Sequence, residues 1–530
     1  MAEAVVKGVE SGALRAGDAL PSTRRLAEEL GVSRFTAERA YEELWAEGYV
    51  EARSGAATRV RARPPRASGA APGEAAGRRA GGGSRPAAEG ERVTGGARGR
   101  TSGEARLETL VDAALEEALG AAAGLRSIHA APAAGRPGAV DFARFNLDPR
   151  LYPVAAFRRS LAAALAEDPA RALSYGPPEG DPALRALIAR RMAEHGAACS
   201  PERIVLVDGA LHGLDLVLRL LVPRGGSVLV EAPTFSGAIL LARASGLEVV
   251  GAETDGEGLL PAAAEEAYER ASAAGRRPSL LYVTPSFHNP TGSLAGQGRR
   301  EEILAFAASR GLPLVEDCFE EEIGGPGARA KPIAAMDGEG RTIYLGTFSK
   351  VLFPGVRLGW IAAAPALARR LALLRQATGV SGNSLVQAAV AGFMSSGAYG
   401  AHVRRVNRVF SRRLAAAVSA FRRFVPEGAA RLFEPAGGYL LWLELPAGRG
   451  GAVRAETARA RVARAEAEAV EACAAEGLLV APGASFWPGE PPGAFLRLSI
   501  AGRDEAEIEE GMARLGRALG GLESRRRGRA

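Results

Sequence analysis

The segment between residues 61 and 104 is the feature that most constrains how this chain can fold. It reads RARPPRASGAAPGEAAGRRAGGGSRPAAEGERVTGGARGRTSGE and is almost free of large apolar side chains. A segment of this composition cannot bury enough apolar surface to offset the entropy lost on ordering it. We therefore predict a flexible linker at 61–104 between two separately folded parts, 1–60 and 105–521, with a basic tail at 522–530.

Length and composition favour a multidomain protein of the cytoplasm. The chain has 530 residues, more than one ordinary domain, and a net charge of +7. Cys199, Cys318 and Cys473 are far apart in sequence, which predicts neither a metal site nor a redox pair and suits a reducing compartment. We expect no signal peptide and no membrane span, because no apolar run reaches about 18 residues.

Residues 1–60 have the pattern of a helix-turn-helix followed by a hairpin. Ser22 or Thr23 can cap a first helix, Gly31 is the turn, and Ser33 can cap a second helix that ends at Gly48. A short hairpin is predicted after it, around Ser54-Gly55. In proteins of this type the second helix lies in the DNA major groove.

The stretch GDALPSTRRLAEELGVSRFTAERAYEELWAEGYVEARSG resembles the winged helix-turn-helix domain of the GntR regulators. That resemblance implies a double-stranded DNA operator as partner, with the 54–58 loop as the wing. Residues 1–60 contain more acidic than basic side chains, so the DNA-facing arginines must lie together on one face. The positions implied to contact DNA are Arg24, Ser33, Arg34, Thr36 and Arg39.

From Asp141 to about Gly521, strand-like segments alternate with helical ones. This order predicts an α/β domain with a parallel sheet and crossover helices. From about Arg404 onward, a long Ala/Arg-rich helix followed by two strand-like runs predicts a smaller α+β lobe. The strand-like segments of the larger lobe are 204–207, 227–230, 247–250, 280–283, 314–315 and 342–345.

The stretch GTFSKVLFPGVRLGW contains a candidate reactive lysine, Lys350. Burial and nearby cations can depress a lysine pKa and make the amine a nucleophile toward a carbonyl. Thr347, Ser349 and Arg357 supply hydroxyls and a guanidinium, the groups that bind a phosphate. A cofactor with an aldehyde and a phosphate, pyridoxal 5'-phosphate, fits this set. The alternative is a buried loop with a structural lysine.

This stretch resembles the lysine motif S/T-x-S-K-x-x-x-x-G-x-R-x-G of fold-type I aminotransferases, and further motifs follow the same pattern. Asp317, at a strand end, is a carboxylate for the ring nitrogen of the cofactor. Asn289, in HNPTG, resembles the amide that faces the phenolic oxygen of the cofactor. Phe235, in EAPTFSG, resembles the aromatic residue that stacks on its ring.

The remaining positions concern the phosphate and the substrate. Gly209, Ala210 and Leu211 enter a helix after a strand, where backbone amides can hold a phosphate. By resemblance, Tyr175 reaches the phosphate from a partner subunit and Arg497 binds the α-carboxylate of a substrate. Three residues depart from the family pattern, in which a polar residue, a glycine and a tyrosine are usual: Leu211, Phe145 and Phe319.

The whole arrangement resembles the MocR/GabR-like subfamily of GntR regulators, including PdxR-type activators. The resemblance implies a transcription regulator that forms a head-to-tail homodimer and senses pyridoxal 5'-phosphate or an amino compound at Lys350. An aminotransferase acting on an amino acid and a 2-oxo acid is the main alternative, and weak or vestigial transamination is compatible with either. A third possibility is a DNA-binding protein whose cofactor fold is inactive and whose Lys350 is unmodified.

Overall fold

The computed structural model describes residues 138–323, 330–446 and 457–527, together with Gly120 and parts of 5–60. The chain divides into two compact units, Met1–Arg98 and Gly99–Ala530. The predicted linker at 61–104 lies outside the described residues. No helix in the described part of the chain is long and apolar enough to cross a membrane.

The N-terminal unit contains the helix and the hairpin that the sequence predicts. Helix α1 (Thr23–Leu30) follows Ser22, whose Oγ accepts a hydrogen bond of 3.3 Å from the Arg25 amide, as an N-terminal cap does. Strands β1 (Val50–Glu51) and β2 (Arg59–Val60) pair antiparallel. A small core joins these elements and consists of Leu20, Tyr41, Leu44, Val50 and Val60.

The larger lobe of the second unit is organised around one sheet. In the described residues this sheet has eight strands, in the spatial order β4-β11-β10-β9-β8-β5-β6-β7. Their bounds are β4 (Ile204–Val207), β5 (Ser227–Ala232), β6 (Glu248–Asp255), β7 (Gly258–Leu259), β8 (Pro278–Val283), β9 (Leu314–Asp317), β10 (Thr342–Thr347) and β11 (Gly359–Ala362).

The sheet is mixed, which differs from the parallel sheet expected from the alternation of elements. Strand β11 pairs antiparallel with both β10 and β4. The segment between β10 and β11 contains only turns and a short 3-10 helix at Pro354–Val356, so no crossover helix brings the chain back to the same edge. The same segment carries Lys350 and Arg357.

Helices cover both faces of this sheet. Alternate residues of a strand face opposite sides, and Val230 and Leu229 accordingly belong to different core clusters. The helices of the larger lobe are α2 (Val154–Glu167), α3 (Pro169–Leu173), α4 (Pro182–Glu194), α5 (Ala210–Leu221), α6 (Ser236–Ala244), α7 (Pro261–Ala273), α8 (Gln297–Ser309), α9 (Pro365–Gly379) and α10 (Ser384–Ser395).

The smaller lobe has the predicted α+β composition, but its long helix begins at Ala398 rather than near Arg404. Strand β3 (Val140–Asp141), from the start of the unit, pairs with β14 of this lobe. A second sheet has the order β12-β13-β16-β15. The elements are α11 (Ala398–Phe424), β12 (Arg431–Phe433), β13 (Leu440–Leu445), α12 (Ala458–Ala475), β14 (Leu478–Leu479), β15 (Ala481–Pro482), β16 (Ala494–Ser499) and α13 (Glu505–Arg527).

Candidate cofactor site

The ends of the central strands bring the predicted site residues to one edge of the sheet. Asp317 is the last residue of β9, and Lys350 follows the end of β10 by three residues. β9 and β10 are parallel neighbours, with Asp317 opposite Leu345. The carboxyl edge of such a sheet is where open α/β folds bind ligands.

Lys350 has the environment of a reactive amine. Its Nζ donates a hydrogen bond of 3.1 Å to the Phe145 carbonyl oxygen and lies 3.9 Å from the centre of the Phe145 ring. Burial lowers the pKa of Lys350 to about 7. The carboxylate of Glu320 opposes this shift, whereas the guanidinium groups of Arg497 and Arg357 add to it. A substantial fraction of the amine is therefore neutral at neutral pH.

Asp317 is a buried carboxylate with one oxygen held and the other open. Its Oδ2 accepts a hydrogen bond of 2.7 Å from the Tyr282 hydroxyl, whereas its Oδ1 has no hydrogen-bond partner of good geometry among the described residues. Burial raises the pKa of Asp317 to about 6, although the hydrogen bond from Tyr282 lowers it. The carboxylate remains ionised at neutral pH and fixed in orientation, as a group that pairs with a cation must be.

Two further buried polar atoms of the predicted set have no partner in the described part of the chain. Asn289 and Ser349 are 3% and 8% exposed, and the Oδ1 of the first and the Oγ of the second make no hydrogen bond. Buried polar groups are normally paired. Unpaired ones among the residues predicted to bind the cofactor are suited to a polar ligand. His288 differs in part, because its Nδ1 is 2.8 Å from the Thr291 hydroxyl oxygen and its Nε2, which makes no hydrogen bond of good geometry in the described residues, lies 3.2 Å from Glu231.

The turn between β4 and α5 forms a candidate phosphate cradle. Gly209 has a φ of +103°, a conformation that favours glycine, and Ala210 begins the helix. Arg357 lies against this turn, since its Nη2 donates a hydrogen bond of 2.7 Å to the Asp208 carbonyl oxygen. Backbone amides, a helix N-terminus and a guanidinium therefore meet at one place. Leu211, 42% exposed, offers only its amide.

The residues after β5 hold Phe235 above the same edge. Phe235 precedes α6, and a side chain at Gly237 would collide with its ring. Thr347 supports the lysine loop differently, because its Oγ1 accepts a hydrogen bond of 3.1 Å from the Ser349 amide. The absence of a side chain at Gly237 leaves room for the Phe235 ring, and the hydrogen bond from Ser349 orients the Thr347 hydroxyl.

Arg497 lies on the middle of β16 and is 1% exposed. Its Nη2 donates a hydrogen bond of 2.6 Å to the Ala143 carbonyl oxygen, while its Nε has no partner among the described residues. Burial lowers the pKa of Arg497 to about 10, which still leaves it charged at neutral pH. An arginine in this state is suited to bind an anionic group.

Tyr175 and the predicted DNA-facing residues are described separately from this site. Tyr175 is 86% exposed, between α3 and α4. For the DNA-facing set, the backbone of Arg24 lies in α1. The side chain of Arg24 and all of Ser33, Arg34, Thr36 and Arg39 lie outside the described residues.

The sequence patterns did not predict three residues of the site: Tyr282, Glu320 and Tyr439. Tyr282 lies within β8, opposite Val315 of β9, and reaches Asp317 across the sheet. Glu320 and Tyr439 lie beside each other, and both are fully buried. A polar residue inside an apolar strand was the available signal for Tyr282, and an acid three residues beyond Asp317 was the signal for Glu320.

Two family models match this chain. The model for "Aminotransferase class I and II" matches residues 147–515. The chain belongs to this family. The model for "Bacterial regulatory proteins, gntR family" matches residues 1–60.

Individual relatives fall into enzymes and regulators. The 2-aminoadipate transaminase of Thermus thermophilus is 34% identical over 73% of this chain and 91% of its own length. The probable rhizopine catabolism regulatory protein MocR of Rhizobium meliloti is 31% identical over 79% and 75%. The transcriptional regulator TauR of Rhodobacter capsulatus is 29% identical over 97% and 95%. The chain is therefore a GntR-type DNA-binding regulator fused to an aminotransferase-like domain, like the MocR-type regulators.

A solved structure of the enzyme group has the same fold. The α-aminoadipate aminotransferase LysN of Thermus thermophilus, complexed with N-(5'-phosphopyridoxyl)-L-leucine, has a TM-score of 0.65 and 30% identity, covering 79% of this chain and 97% of that one. The family depends on pyridoxal 5'-phosphate. The residues of this chain fit that group, because a nucleophilic amine, an ionised carboxylate with an open oxygen and an amide-rich cradle surround one edge of the sheet.

Proposed function

We propose that this chain regulates transcription by holding pyridoxal 5'-phosphate at Lys350 and by changing its affinity for an operator when that site changes state. The effector is the cofactor itself or an amino compound that displaces the lysine. The observation that carries the proposal is a set of buried atoms of the predicted site that have no hydrogen-bond partner in the described residues: Asp317 Oδ1, Asn289 Oδ1 and Ser349 Oγ. Such atoms indicate an absent polar ligand.

Each residue of the set has a separate task in this proposal. Lys350 provides the amine that links to the aldehyde, and Asp317 provides the carboxylate for the ring nitrogen. Asn289 faces the phenolic oxygen, and Phe235 supplies the stacking face. The phosphate is held by Gly209, Ala210, Leu211, Thr347, Ser349 and Arg357. When bound, the cofactor supplies an aldehyde for amines and a ring that accepts electrons.

The assembled form in this proposal is a head-to-tail homodimer. Tyr175 and Leu173 are 86% and 69% exposed, and Val154 is 66% exposed, so these side chains are available for contact with a second chain. The cradle is open too, since Arg357 and Leu211 are exposed. Tyr175 from a partner subunit would complete it.

The regulatory output in this proposal is DNA binding by the N-terminal unit. The family match at 1–60 supports an operator of double-stranded DNA. Arg24, Ser33, Arg34, Thr36 and Arg39 are the proposed contacts, with bases and phosphates as targets.

Operator affinity in the presence and absence of the cofactor tests this function. The DNA upstream of the neighbouring genes is titrated with full-length protein, and the apparent Kd is measured by fluorescence anisotropy with and without pyridoxal 5'-phosphate. We expect the cofactor to change the Kd about fivefold or more for wild type and not for Lys350→Ala. Lys331→Ala, which changes an exposed lysine, should behave as wild type. Equal responses of Lys350→Ala and wild type would refute the proposal.

A catalytic aminotransferase is the second candidate, because Lys350, Asp317 and Arg497 are all present. The 34% identity with a transaminase favours it as well. Single-turnover assays with amino acids separate the two candidates. Rapid turnover with an ordinary amino acid, together with no operator binding, would replace the regulator by the enzyme.

A further inference from the structure

One short segment, residues 143–145, contacts Lys350 and Arg497, and we call it the 143–145 cap. The Ala143 carbonyl accepts a hydrogen bond of 2.6 Å from Arg497, and the Phe145 carbonyl accepts one of 3.1 Å from Lys350. The Phe145 ring centre lies 3.9 Å from Lys350 Nζ and 5.5 Å from Arg497 Cζ. A single aromatic ring therefore occupies the space next to both groups.

The cap is a packed part of the core. Phe145 is 7% exposed. Its ring centre lies 5.8 Å from that of Phe319 and 5.3 Å from that of Tyr439. Moving the ring aside would break contacts on two sides, so the ring is a fixed wall of the site.

Glu320 supplies a carboxylate to the same place. It is fully buried, and neither of its oxygens has a hydrogen-bond partner of good geometry among the described residues. Its charge interacts with Tyr439, Lys350 and Arg497. Burial raises the pKa of Glu320 to about 8, so Arg497 has an anion of the chain itself beside it only above that pH.

An α-amino acid needs both cations at once, because its amine must reach the Lys350 position while its carboxylate binds Arg497. The ring fills the space beside these points, and Arg497 Nη2 is already engaged. Above pH 8, where Glu320 is ionised, its charge also repels a second carboxylate. We propose that the 143–145 cap and Glu320 exclude α-amino acids, so that the amino compounds accepted here are primary amines without a carboxylate on the carbon that bears the nitrogen. This inference rests on the proposed cofactor role of Lys350.

L-alanine and ethylamine test the proposal, because they differ only in the α-carboxylate. Each is titrated into cofactor-loaded, full-length protein, and its Kd is taken from the change in visible absorbance. We expect wild type to bind ethylamine at least as tightly as L-alanine. Phe145→Gly should shift the preference toward L-alanine by about tenfold or more, the worth of a charge-assisted hydrogen bond. Wild type preferring L-alanine tenfold, or Phe145→Gly keeping the wild-type preference, would overturn it.

Further variants distinguish the effect of the 143–145 cap from a general loss of folding. Phe145→Leu keeps apolar bulk and should retain the wild-type preference. Glu320→Gln keeps the shape and removes the charge. Burial raises the pKa of Glu320 to about 8, so Glu320 is ionised only above that pH. Glu320→Gln is therefore compared with wild type above pH 8, where it should also shift the preference toward L-alanine. If Phe145→Gly does not fold, Glu320→Gln decides the outcome, with exposed Glu266→Gln as its control.

Failure of the proposed function gives a different result. If Lys350 does not hold the cofactor, wild type shows no bound-cofactor absorbance before any amine is added. A wild-type protein that binds the cofactor and then prefers L-alanine refutes only the exclusion.

Discussion

Lys350 and Asp317 have opposite pKa shifts, and burial is the first cause of both. The pKa of Lys350 is lowered to about 7 and that of Asp317 is raised to about 6. Near neutral pH the carboxylate is therefore charged and the amine is partly neutral. Amine attack on an aldehyde requires the neutral amine. Lys350 and Asp317 are therefore both in the state that cofactor attachment requires near neutral pH.

The rate of cofactor attachment should follow the titration of Lys350. Below pH 7 the lysine is protonated and attachment is slow, and the rate should rise about tenfold per pH unit toward a plateau above pH 7. Glu320 raises the pKa of Lys350, so Glu320→Gln should move the midpoint to lower pH. Stopped-flow absorbance measures the profile.

Glu266→Gln, on the exposed side of α7, is the matched control and should leave the midpoint unchanged. A Glu320→Gln profile that coincides with wild type would show that Glu320 does not act on the lysine.

Phe319 affects the pKa of the bound cofactor. By resemblance, a tyrosine at this position donates a hydrogen bond to the phenolic oxygen of the cofactor and stabilises its ionised form. Phe319 cannot donate, so we expect the bound cofactor to keep its shared proton to higher pH than in Phe319→Tyr. The variant should lower the spectroscopic pKa by about one unit. A pH titration of the visible spectrum measures it, and an unchanged or raised value would contradict the account.

The sequence predicts site residues that belong to local motifs and misses those that act across the fold. Lys350, Asn289 and Asp317 each stand in a recognisable stretch, and the structure brings all three to one sheet edge. Tyr282 reaches Asp317 only through the pairing of β8 with β9. A single strand sequence does not contain that register, so it does not show that Tyr282 contacts Asp317.

At the scale of elements, the junction of β4 and α5 determines whether a phosphate can be held. Gly209, at this junction, adopts a φ of +103° and a ψ of 162°. A residue with a Cβ is strained there by about 1–3 kcal/mol, although the nearest Arg357 atom would lie at 3.4 Å, a tolerable contact. The backbone conformation, rather than space, requires glycine.

Gly209→Ala should therefore weaken cofactor binding by about tenfold, since about 1.4 kcal/mol corresponds to tenfold in affinity. Equilibrium dialysis with pyridoxal 5'-phosphate measures the Kd. Gly256→Ala is the control, because Gly256 has open space around it and no positive φ. Equal affinities of the two variants would argue against the cradle.

Element order was predictable, whereas strand direction and distant pairing were not. The alternation of strands and helices follows from local periodicity. The antiparallel course of β11 depends on a connection without a helix, and β3 pairs with β14 from the opposite end of the unit. Both features are decided by long-range packing, to which local patterns are insensitive.

For the whole molecule, the proposed homodimer makes each site depend on two chains. Tyr175 is 86% exposed, so Tyr175→Ala should leave the melting temperature and the dimer mass unchanged. It should weaken cofactor binding by about tenfold, the usual worth of one hydrogen bond to a charged group. Light scattering and equilibrium dialysis measure the two quantities.

Mixed dimers sharpen this prediction. A dimer of one Tyr175→Ala chain and one Lys350→Ala chain has one site with both residues intact if the chains lie head to tail. We expect half-occupancy with wild-type affinity. Weak binding alone would mean that Tyr175 serves the site of its own chain.

The attachment point of the cofactor tests the central claim most directly. The chain has three lysines, Lys7, Lys331 and Lys350, so borohydride reduction of the loaded protein followed by peptide mass spectrometry gives an unambiguous assignment. The account predicts one pyridoxyl label per chain, on the peptide that contains Lys350. A label on Lys7 or Lys331, or no label on a protein saturated with pyridoxal 5'-phosphate, would contradict it.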